Sequence, residues 1–480
     1  MRHDTGSGAT KIVATIAGNA EKPGALGKLL AAGVDVVRLN AAHARPGEIA
    51  RRVALVRRVS ARRGAPVGVL LDLGGPKIRL GALPAGAAVL ANGRTVEIAA
   101  GADAGPGRRG AARLAVTYPN LLRDVKKGAE IRIDDGRVRL EVTGRHGSLL
   151  RAVVRCGGRV KSEAGVNFPD STLTAPALTP KDRRDLAEGL RAGVDFVGLS
   201  FVRSAAHVLS LRRLVARVRE DLRPWIVAKI ERPEALADLD AIAAVSDALM
   251  VARGDLGVEI GLPRVPAAQR EILAAGRRHA VPVIVATQML ESMIENAVPT
   301  RAEVSDVALA VHEGADAVML SGETAIGAHP VEAVRAMGEI ACEAEAADGD
   351  ETPAPLPPPP PEDFTAVVAR AAAEAARLGR ARALVVHTES GRTARLASKS
   401  ALSLPIVAFT PRESVRRKLT LLRDVVSFRI PASRTLEERI RAADAILSKT
   451  GRLSGTTVVE ISGAAPTAGA TNVVRLRRLP

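Results

Sequence analysis

In the stretch WIVAKIE, Lys229 and Glu231 stand two residues apart, a spacing that turns both side chains to one face of a strand. A lysine and a carboxylate sharing a cavity make either a satisfied ion pair or the start of a site. VARGDLGVEI tips the balance toward a site, because Asp255 follows a glycine at a strand-to-loop junction. Two carboxylates with room for water and substrate oxygens suit Mg²⁺ or Mn²⁺, which prefer hard oxygen ligands and keep part of their hydration. No His pair or Cys cluster argues for zinc. A short helix starting after Gly254 would add free N–H groups, a place for a carboxylate or phosphate. The shared chemistry is anionic oxygen held by a divalent metal, an ammonium and backbone donors, which is how phosphoryl transfer is stabilised. More polar residues stand where other apolar runs end: Arg38, Asn40 and His43, then Asp72, Arg253, Thr287, Gln288, Ser321 and Glu323. In LLDLGGPKIR, Asp72, Lys77 and Arg79 lie close enough to face one site.

The elements that must position these residues follow a regular rhythm. Short apolar runs at 11–17, 34–42 and 67–74 alternate with helical stretches to about Ala32 and over 46–63. The rhythm resumes with runs at 195–202, 225–231, 247–255, 282–288 and 315–323. Eight β-then-α units predict a (β/α)₈ TIM barrel, whose polar strand ends form one face. A doubly wound open sheet is the alternative that periodicity leaves open. Residues 80–175 break the pattern and predict an inserted all-β module, with Asp135-Gly136 as a hairpin turn. PAPLPPPPPED then predicts an extended spacer. Runs at 383–388, 405–410, 425–430, 456–462 and 472–479 predict a C-terminal parallel α/β domain. The expected division is a barrel from 1–79 and 176–350, a β insertion at 80–175, a linker at 351–363 and a last domain at 364–480.

In that last domain, HTESGRTA joins a strand to a helix through Thr388, Ser390, Gly391, Arg392 and Thr393. Such a turn can cradle a phosphate on backbone N–H groups, or it can be an ordinary capped helix start.

Composition narrows the partners. Lys and Arg outnumber Asp and Glu by 69 to 52, a net +17, which either favours anionic partners (phosphorylated metabolites, nucleotides, nucleic acid or acidic membrane) or is surplus charge spread over the surface. The arginines recur at helical spacing and no basic run is interleaved with aromatics, so a nucleic-acid groove is not expected. No apolar stretch is long enough to span a bilayer. Cys156 and Cys342 are far apart and suggest a reducing compartment. The N-terminus lacks the layout of a signal peptide, so a cytoplasmic location is expected.

VARGDLGVEI, ATQMLESMI and MLSGETAIG, with RLN-xx-H near the start and AKIE in the middle, closely resemble pyruvate kinase, and the resemblance spans essentially the whole chain. It implies phosphate transfer between phosphoenolpyruvate and ADP, giving pyruvate and ATP in glycolysis. By that likeness Lys229 neutralises the migrating phosphoryl group, and Glu231 and Asp255 hold the divalent metal. The Gly254 and Asp255 amides with the Thr287 hydroxyl form the substrate carboxylate pocket, and Thr287 lies near the path of enolate protonation. Arg38 and Arg79 are implied phosphate clamps; Asn40, His43 and Asn167 are nucleotide-side contacts. The β insertion is implied to be a small β-barrel lid that excludes water. The 388–393 loop is implied to bind an activating sugar phosphate, and a homotetramer is expected.

Several positions depart from the family pattern. Relatives hold K⁺ with an asparagine, a serine, an aspartate and a threonine carbonyl; here Asn40 and Asp72 remain, but Ala42 and Leu73 replace the serine and threonine. Lys77 stands where K⁺-dependent forms carry glutamate, so its ammonium is expected in or beside the ion site and K⁺ is not expected to be required. Gly74 and Ala164 replace lysines, which puts nucleotide preference in question. Ala464 and Ala465 replace Trp and Arg of the effector-covering loop, favouring a monophosphate effector or a weak response to a bisphosphate. The rival readings are a metal-dependent lyase or aldolase acting on a pyruvate enolate, and a catalytically lapsed regulatory paralogue.

Overall fold

The computed structural model describes residues 9–103, 112–347, 358–400, 404–433, 435–450, 453–463 and 471–479. Eight parallel strands close into a barrel: Lys11–Thr15, Val36–Asn40, Gly68–Asp72, Phe196–Leu199, Trp225–Ile230, Ala248–Ala252, Val283–Ala286 and Ala317–Leu320. Closure through pairing of the first strand with the eighth, Ala14 opposite Leu320, removes the open-sheet alternative. The strands are almost wholly apolar and buried because helices cover them outside and side chains fill them inside.

Helix ends are sealed locally. The chain re-enters the barrel from the β insertion through helix Pro180–Ala192, which opens with a Thr179–Asp182 capping box and ends at a left-handed Gly193. Helix Arg301–His312 has the same box between Thr300 and Glu303.

The insertion forms a six-stranded sheet and a two-stranded ribbon, Ala87–Leu90 with Gly158–Lys161, around one hydrophobic core. The Asp135-Gly136 hairpin is present between Glu130–Ile133 and Val138–His146. Its connection is wider than a tight two-residue turn, with Asp134, Asp135 and Gly136 all at positive φ. The insertion docks on the barrel through Asn167 Nδ2, 2.7 Å from Glu259 Oε1, and through Arg132, which donates to the Val258 carbonyl. Arg203 holds the return segment at the Leu173 and Ala175 carbonyls.

The C-terminal domain has a five-stranded sheet in the order Val425–Arg429, Ile406–Thr410, Ala383–His387, Thr457–Gly463, Thr471–Arg478. Four strands run parallel as expected; the last runs antiparallel to its neighbour. This domain plugs the N-terminal end of the barrel, where Trp225, Phe196 and Leu70 share one hydrophobic cluster with Ala394, Leu419 and Leu422. Arg417 crosses to Asp195 at 2.8 Å, and Lys399 pairs with the buried Asp316. Residues 351–357 of the proline spacer lie outside the described residues.

Candidate active site

Five consecutive barrel strands or their ends supply one connected set of polar groups. The Lys229 ammonium sits 2.9 Å from Glu231 Oε1, 2.8 Å from Ser200 Oγ and 3.3 Å from Asp72 Oδ1. Asp72 Oδ2 accepts from Arg38 Nε at 2.8 Å, and Arg38 Nη1 donates to Thr15 Oγ1 at 3.0 Å. Ser200 in turn donates to the Leu73 carbonyl at 2.8 Å. Gly75 makes this closeness feasible: its φ is +66°, and a Cβ there would lie 2.9 Å from both Ser200 and Phe201. Its N–H is tied to Asp182 at 3.1 Å.

Burial would discharge the Lys229 ammonium, but Asp72 and Glu231 beside it prevail and hold it well above the usual lysine range. Burial likewise raises the Asp72 carboxyl, and Lys229 and Arg38 outweigh it, leaving Asp72 below its ordinary value. Glu231 behaves differently. Burial raises its carboxyl, Lys229 opposes this, and the charge of Asp255 pushes it up again.

That imbalance bears on a metal. Glu231 is completely buried; one oxygen accepts the Phe201 N–H at 2.6 Å, while Oε1 has no aligned hydrogen bond beyond its ion pair with Lys229. A fully buried carboxylate oxygen met only by the Lys229 ammonium, with the Asp255 charge close enough to be felt, fits a hard divalent ion that takes its other ligands from water and substrate. Among the described residues no group of three or more His, Cys, Asp or Glu stands ready for a metal, so the protein offers a pair and no cage.

Lys229, Asp255, Thr287, Arg38 and Asn40 line a common cleft enclosing about 430 Å³. Strand six gives way directly to helix Arg253–Ile260, so the expected helix start after the barrel strand is present. The Gly254 N–H donates to Thr287 Oγ1 at 2.8 Å. Thr287 and Gln288 adopt φ of +70° and +54°, an unfavourable backbone for a β-branched residue. Arg253 pins it by donating to the Thr287 carbonyl from Nε at 3.2 Å and Nη2 at 2.9 Å. A second cleft of about 860 Å³ lies between barrel and insertion and includes Arg79, Asn167, Arg232 and Glu259. Lys77 and Asp255 border both clefts, so the two form one compound site.

Residues 8–334 match the family model described as the pyruvate kinase barrel domain, and residues 366–477 match the pyruvate kinase alpha/beta domain. The chain belongs to the pyruvate kinase family. A pyruvate kinase of Mycobacterium tuberculosis is 41% identical over 471 residues, 98% of each chain. One from Corynebacterium glutamicum is 40% identical, with 98% of this chain and 97% of that one covered. A crystal structure of a pyruvate kinase from Cryptosporidium parvum superposes with a TM-score of 0.91 at 31% identity, covering 99% of this chain and 97% of that one. These relatives do not favour a lyase, an aldolase or a lapsed paralogue. Membership makes the protein a phosphotransferase that uses phosphoenolpyruvate and ADP, yields pyruvate and ATP, and depends on a divalent metal.

Within this pyruvate kinase framework the expected residues divide between the two clefts. Arg38 lines the smaller cleft, whereas Arg79 lines the larger and donates to the Glu163 carbonyl at 2.9 Å. His43 is exposed and borders neither cleft. Asn40 lines the smaller cleft, where its side-chain oxygen accepts the Ala42 N–H at 3.0 Å. Lys77 is an exposed residue at the cleft mouth with Ala42, Asp72, Leu73 and Gly74, and no ion pair to Asp72 is formed. Glu323 serves the backbone, accepting the N–H groups of Ser321 and Leu290 at 2.7 and 3.2 Å, and the Ser321 hydroxyl is buried without a hydrogen-bond partner.

Other residues were missed by sequence reasoning. Ser200 is a polar residue closing the apolar run of strand four in LSF, the same signal that marked the other strand ends. Arg232, 2.7 Å from Glu259, gave no such signal, because it follows the AKIE motif in an ordinary helix-start sequence.

In the C-terminal domain, a small open cavity is bordered by Thr388, Ser390, Arg392 and Thr393. Gly391 turns at φ +90° and its N–H is held by Thr388 Oγ1 at 2.9 Å. Ala464 and Ala465 lie outside the described residues. Cys156 and Cys342 are both free, and no helix among the described residues is long and apolar enough to cross a membrane.

Proposed function

We propose that Lys229 is the group that carries phosphoryl transfer in this chain. The supporting observation is its ammonium, held by Glu231, Ser200 and Asp72 inside the cleft that Asp255 and Thr287 share. In the forward reaction the bond from phosphorus to the enol oxygen breaks and a bond to a terminal ADP oxygen forms. Lys229 and Arg38 face the oxygens on which negative charge is shared, already fixed by their ion pairs before substrate arrives. The resulting enolate takes a proton at carbon to become pyruvate, with the Thr287 hydroxyl on that path. The Gly254 and Asp255 amides, at the start of helix Arg253–Ile260, orient the substrate carboxylate. Glu231 and Asp255 would hold Mg²⁺ or Mn²⁺, which supplies neutralising charge to the anionic oxygens.

The larger cleft is the nucleotide side, with Arg79 and Asn167 as contacts and the insertion as the lid that limits water. Asn40 stands at the phosphoryl side, and His43, exposed outside both clefts, remains a nucleotide contact only for a part of ADP that extends beyond them. Lys77, an exposed cation that lines the cleft with Asn40, Asp72 and Leu73, takes the part of K⁺. The 388–393 loop takes a phosphorylated effector, and the protein works as a cytoplasmic homotetramer.

The deciding measurement couples ATP and pyruvate production to steady-state turnover with Mg²⁺ or Mn²⁺, comparing K⁺ with large organic cations. Full activity without K⁺ is expected, and loss of activity in Glu231→Gln and Asp255→Asn. A negligible rate that K⁺ restores would refute the role given to Lys77.

A further inference from the structure

We infer that His387 makes phosphate binding in the C-terminal cavity proton-linked, so that the proposed effector site tightens as pH falls. The inference rests on the phosphate reading of the 388–393 loop. His387 ends strand Ala383–His387 and is 5% exposed. Its Nε2 lies 2.8 Å from Glu460 Oε1, and Glu460 Oε2 pairs with Arg477 Nε at 2.9 Å. The opposite ring nitrogen, Nδ1, has no hydrogen-bond partner although it is buried in the wall of the cavity. A buried polar atom left without a partner is costly, and a ligand atom in this cavity would relieve that cost.

Glu460, from strand Thr457–Gly463, is almost fully buried; burial raises its carboxyl, but His387 and the arginines Arg477 and Arg475 prevail and keep it ionised. Phe409 stacks on the imidazole at 5.7 Å and adds no charge. The cations that border the cavity are already engaged elsewhere: Arg392 with Asp363 at 3.0 Å, and Arg439 with the Gly463 carbonyl at 2.7 Å. The one nearby acid of the loop, Glu389, pairs with Arg412 at 3.4 Å. Thr365, from helix Phe364–Leu378, brings only a hydroxyl.

With Nε2–H donated to Glu460, Nδ1 is a lone pair that repels an anion. Once protonated it becomes a charge-assisted donor to a phosphate monoester. Ligand and proton therefore bind together, and by linkage each strengthens the other. The sign follows: the protonated ring is the form that donates to the anion, so anion affinity is expected to rise as pH falls.

Inorganic sulfate is the test anion, because it keeps both charges across the range in which histidine titrates. Calorimetry in buffers of different ionisation heat reads affinity and proton uptake together. Fluorescence of Trp225, the chain's only tryptophan, gives a second readout, since its ring lies 3.4 Å from where a Cβ on Gly391 would stand. Sulfate is expected to bind about tenfold tighter near pH 6 than near pH 8, with net proton uptake. His387→Gln, which can still donate to Glu460 but does not titrate, is expected to bind with flat pH dependence, and Arg392→Ala to weaken binding at every pH. Flat wild-type affinity, or an unchanged slope in His387→Gln, overturns the role of His387 while the phosphate reading survives. Absence of sulfate and phosphate binding at any pH, or pH-linked binding untouched in Arg392→Ala, removes the phosphate reading as well. Proton uptake by the wild type decides the matter even where the variant does not fold.

Discussion

The cleft at one end of the barrel and the cavity beyond its other end are both proposed to take anionic oxygen, yet they are wired in opposite ways. In the cleft, Arg38, Asp72, Lys229 and Glu231 are locked to one another on strand ends. In the cavity, the arginines are turned to Asp363 and Gly463, the hydroxyls sit on a loop, and one imidazole nitrogen is left unpartnered. Strand Trp225–Ile230 spans both ends, with Trp225 against the loop and Lys229 in the cleft. The difference suits the two tasks. Charge that must stabilise a transition state gains from being fixed in advance, whereas a regulatory site gains from groups whose state changes when the ligand arrives.

Removing the central charge should break the cleft far more severely than any single change breaks the cavity. Lys229→Met leaves Glu231 buried without its cation and Asp72 with Arg38 alone. Turnover is expected to fall by about 10³-fold, with a stability loss of about 3–5 kcal/mol measured by denaturant unfolding. Arg392→Met should cost no more than about 1 kcal/mol, because its ion pair with Asp363 is partly exposed. Equal stability losses in the two variants would erase the contrast.

Lys77→Glu is the next largest change. It reverses a charge at the cleft mouth without touching the locked set, so unfolding should be unaffected. Turnover should fall by roughly ten- to a hundredfold, and K⁺ should not restore it fully, because Ala42 still lacks the serine oxygen. Full rescue by K⁺ would show that Asn40, Asp72 and the Leu73 carbonyl suffice as ligands.

The same contrast governs what could be read from sequence. The barrel was legible because its strands are apolar runs of the right length, and a polar residue at the end of such a run stands out. Lys229, Glu231, Asp255 and Thr287 were found that way, and Ser200 obeyed the same rule without being noticed. What stayed hidden is long-range. Arg79 and Arg38 look alike in a linear chain, but Arg79 lines the larger cleft and its backbone bridges Gly165. His43 lies beyond strand two on a short turn that faces outward. The antiparallel last strand was hidden because a buried parallel strand and an edge strand can share the same apolar letters. His387 reads as one more polar residue at a strand end; only the fold reveals that Glu460 occupies one nitrogen and leaves the other open.

A milder variant tests the lid. Asn167 reaches from the insertion to Glu259 on the helix that carries Asp255. Asn167→Ala should remove about 1 kcal/mol of that attachment, raising KM for ADP about fivefold with little change in KM for phosphoenolpyruvate. An equal rise in both constants would mean that the contact supports the whole site and not its nucleotide side.

The smallest effects on turnover, and the sharpest comparison, come from two glycines. Gly391, in the cavity loop, sits at φ +90°, yet a Cβ there would meet Leu419 and Trp225 at an ordinary 3.4 Å. Space is available and the backbone angle is not, so Gly391→Ala should lower stability by about 1–2 kcal/mol. Gly254, in the cleft, lies inside a helix, and its Cβ would stand 3.5 Å from Thr287 Oγ1. Here the backbone accepts alanine, with a gain of up to about 1 kcal/mol in helix propensity. The methyl group, however, intrudes where the substrate carboxylate is proposed to bind, so Gly254→Ala should melt no earlier than wild type while its KM for phosphoenolpyruvate rises a few-fold. If Gly254→Ala instead loses stability and keeps its KM, the carboxylate binds elsewhere and that glycine serves packing alone.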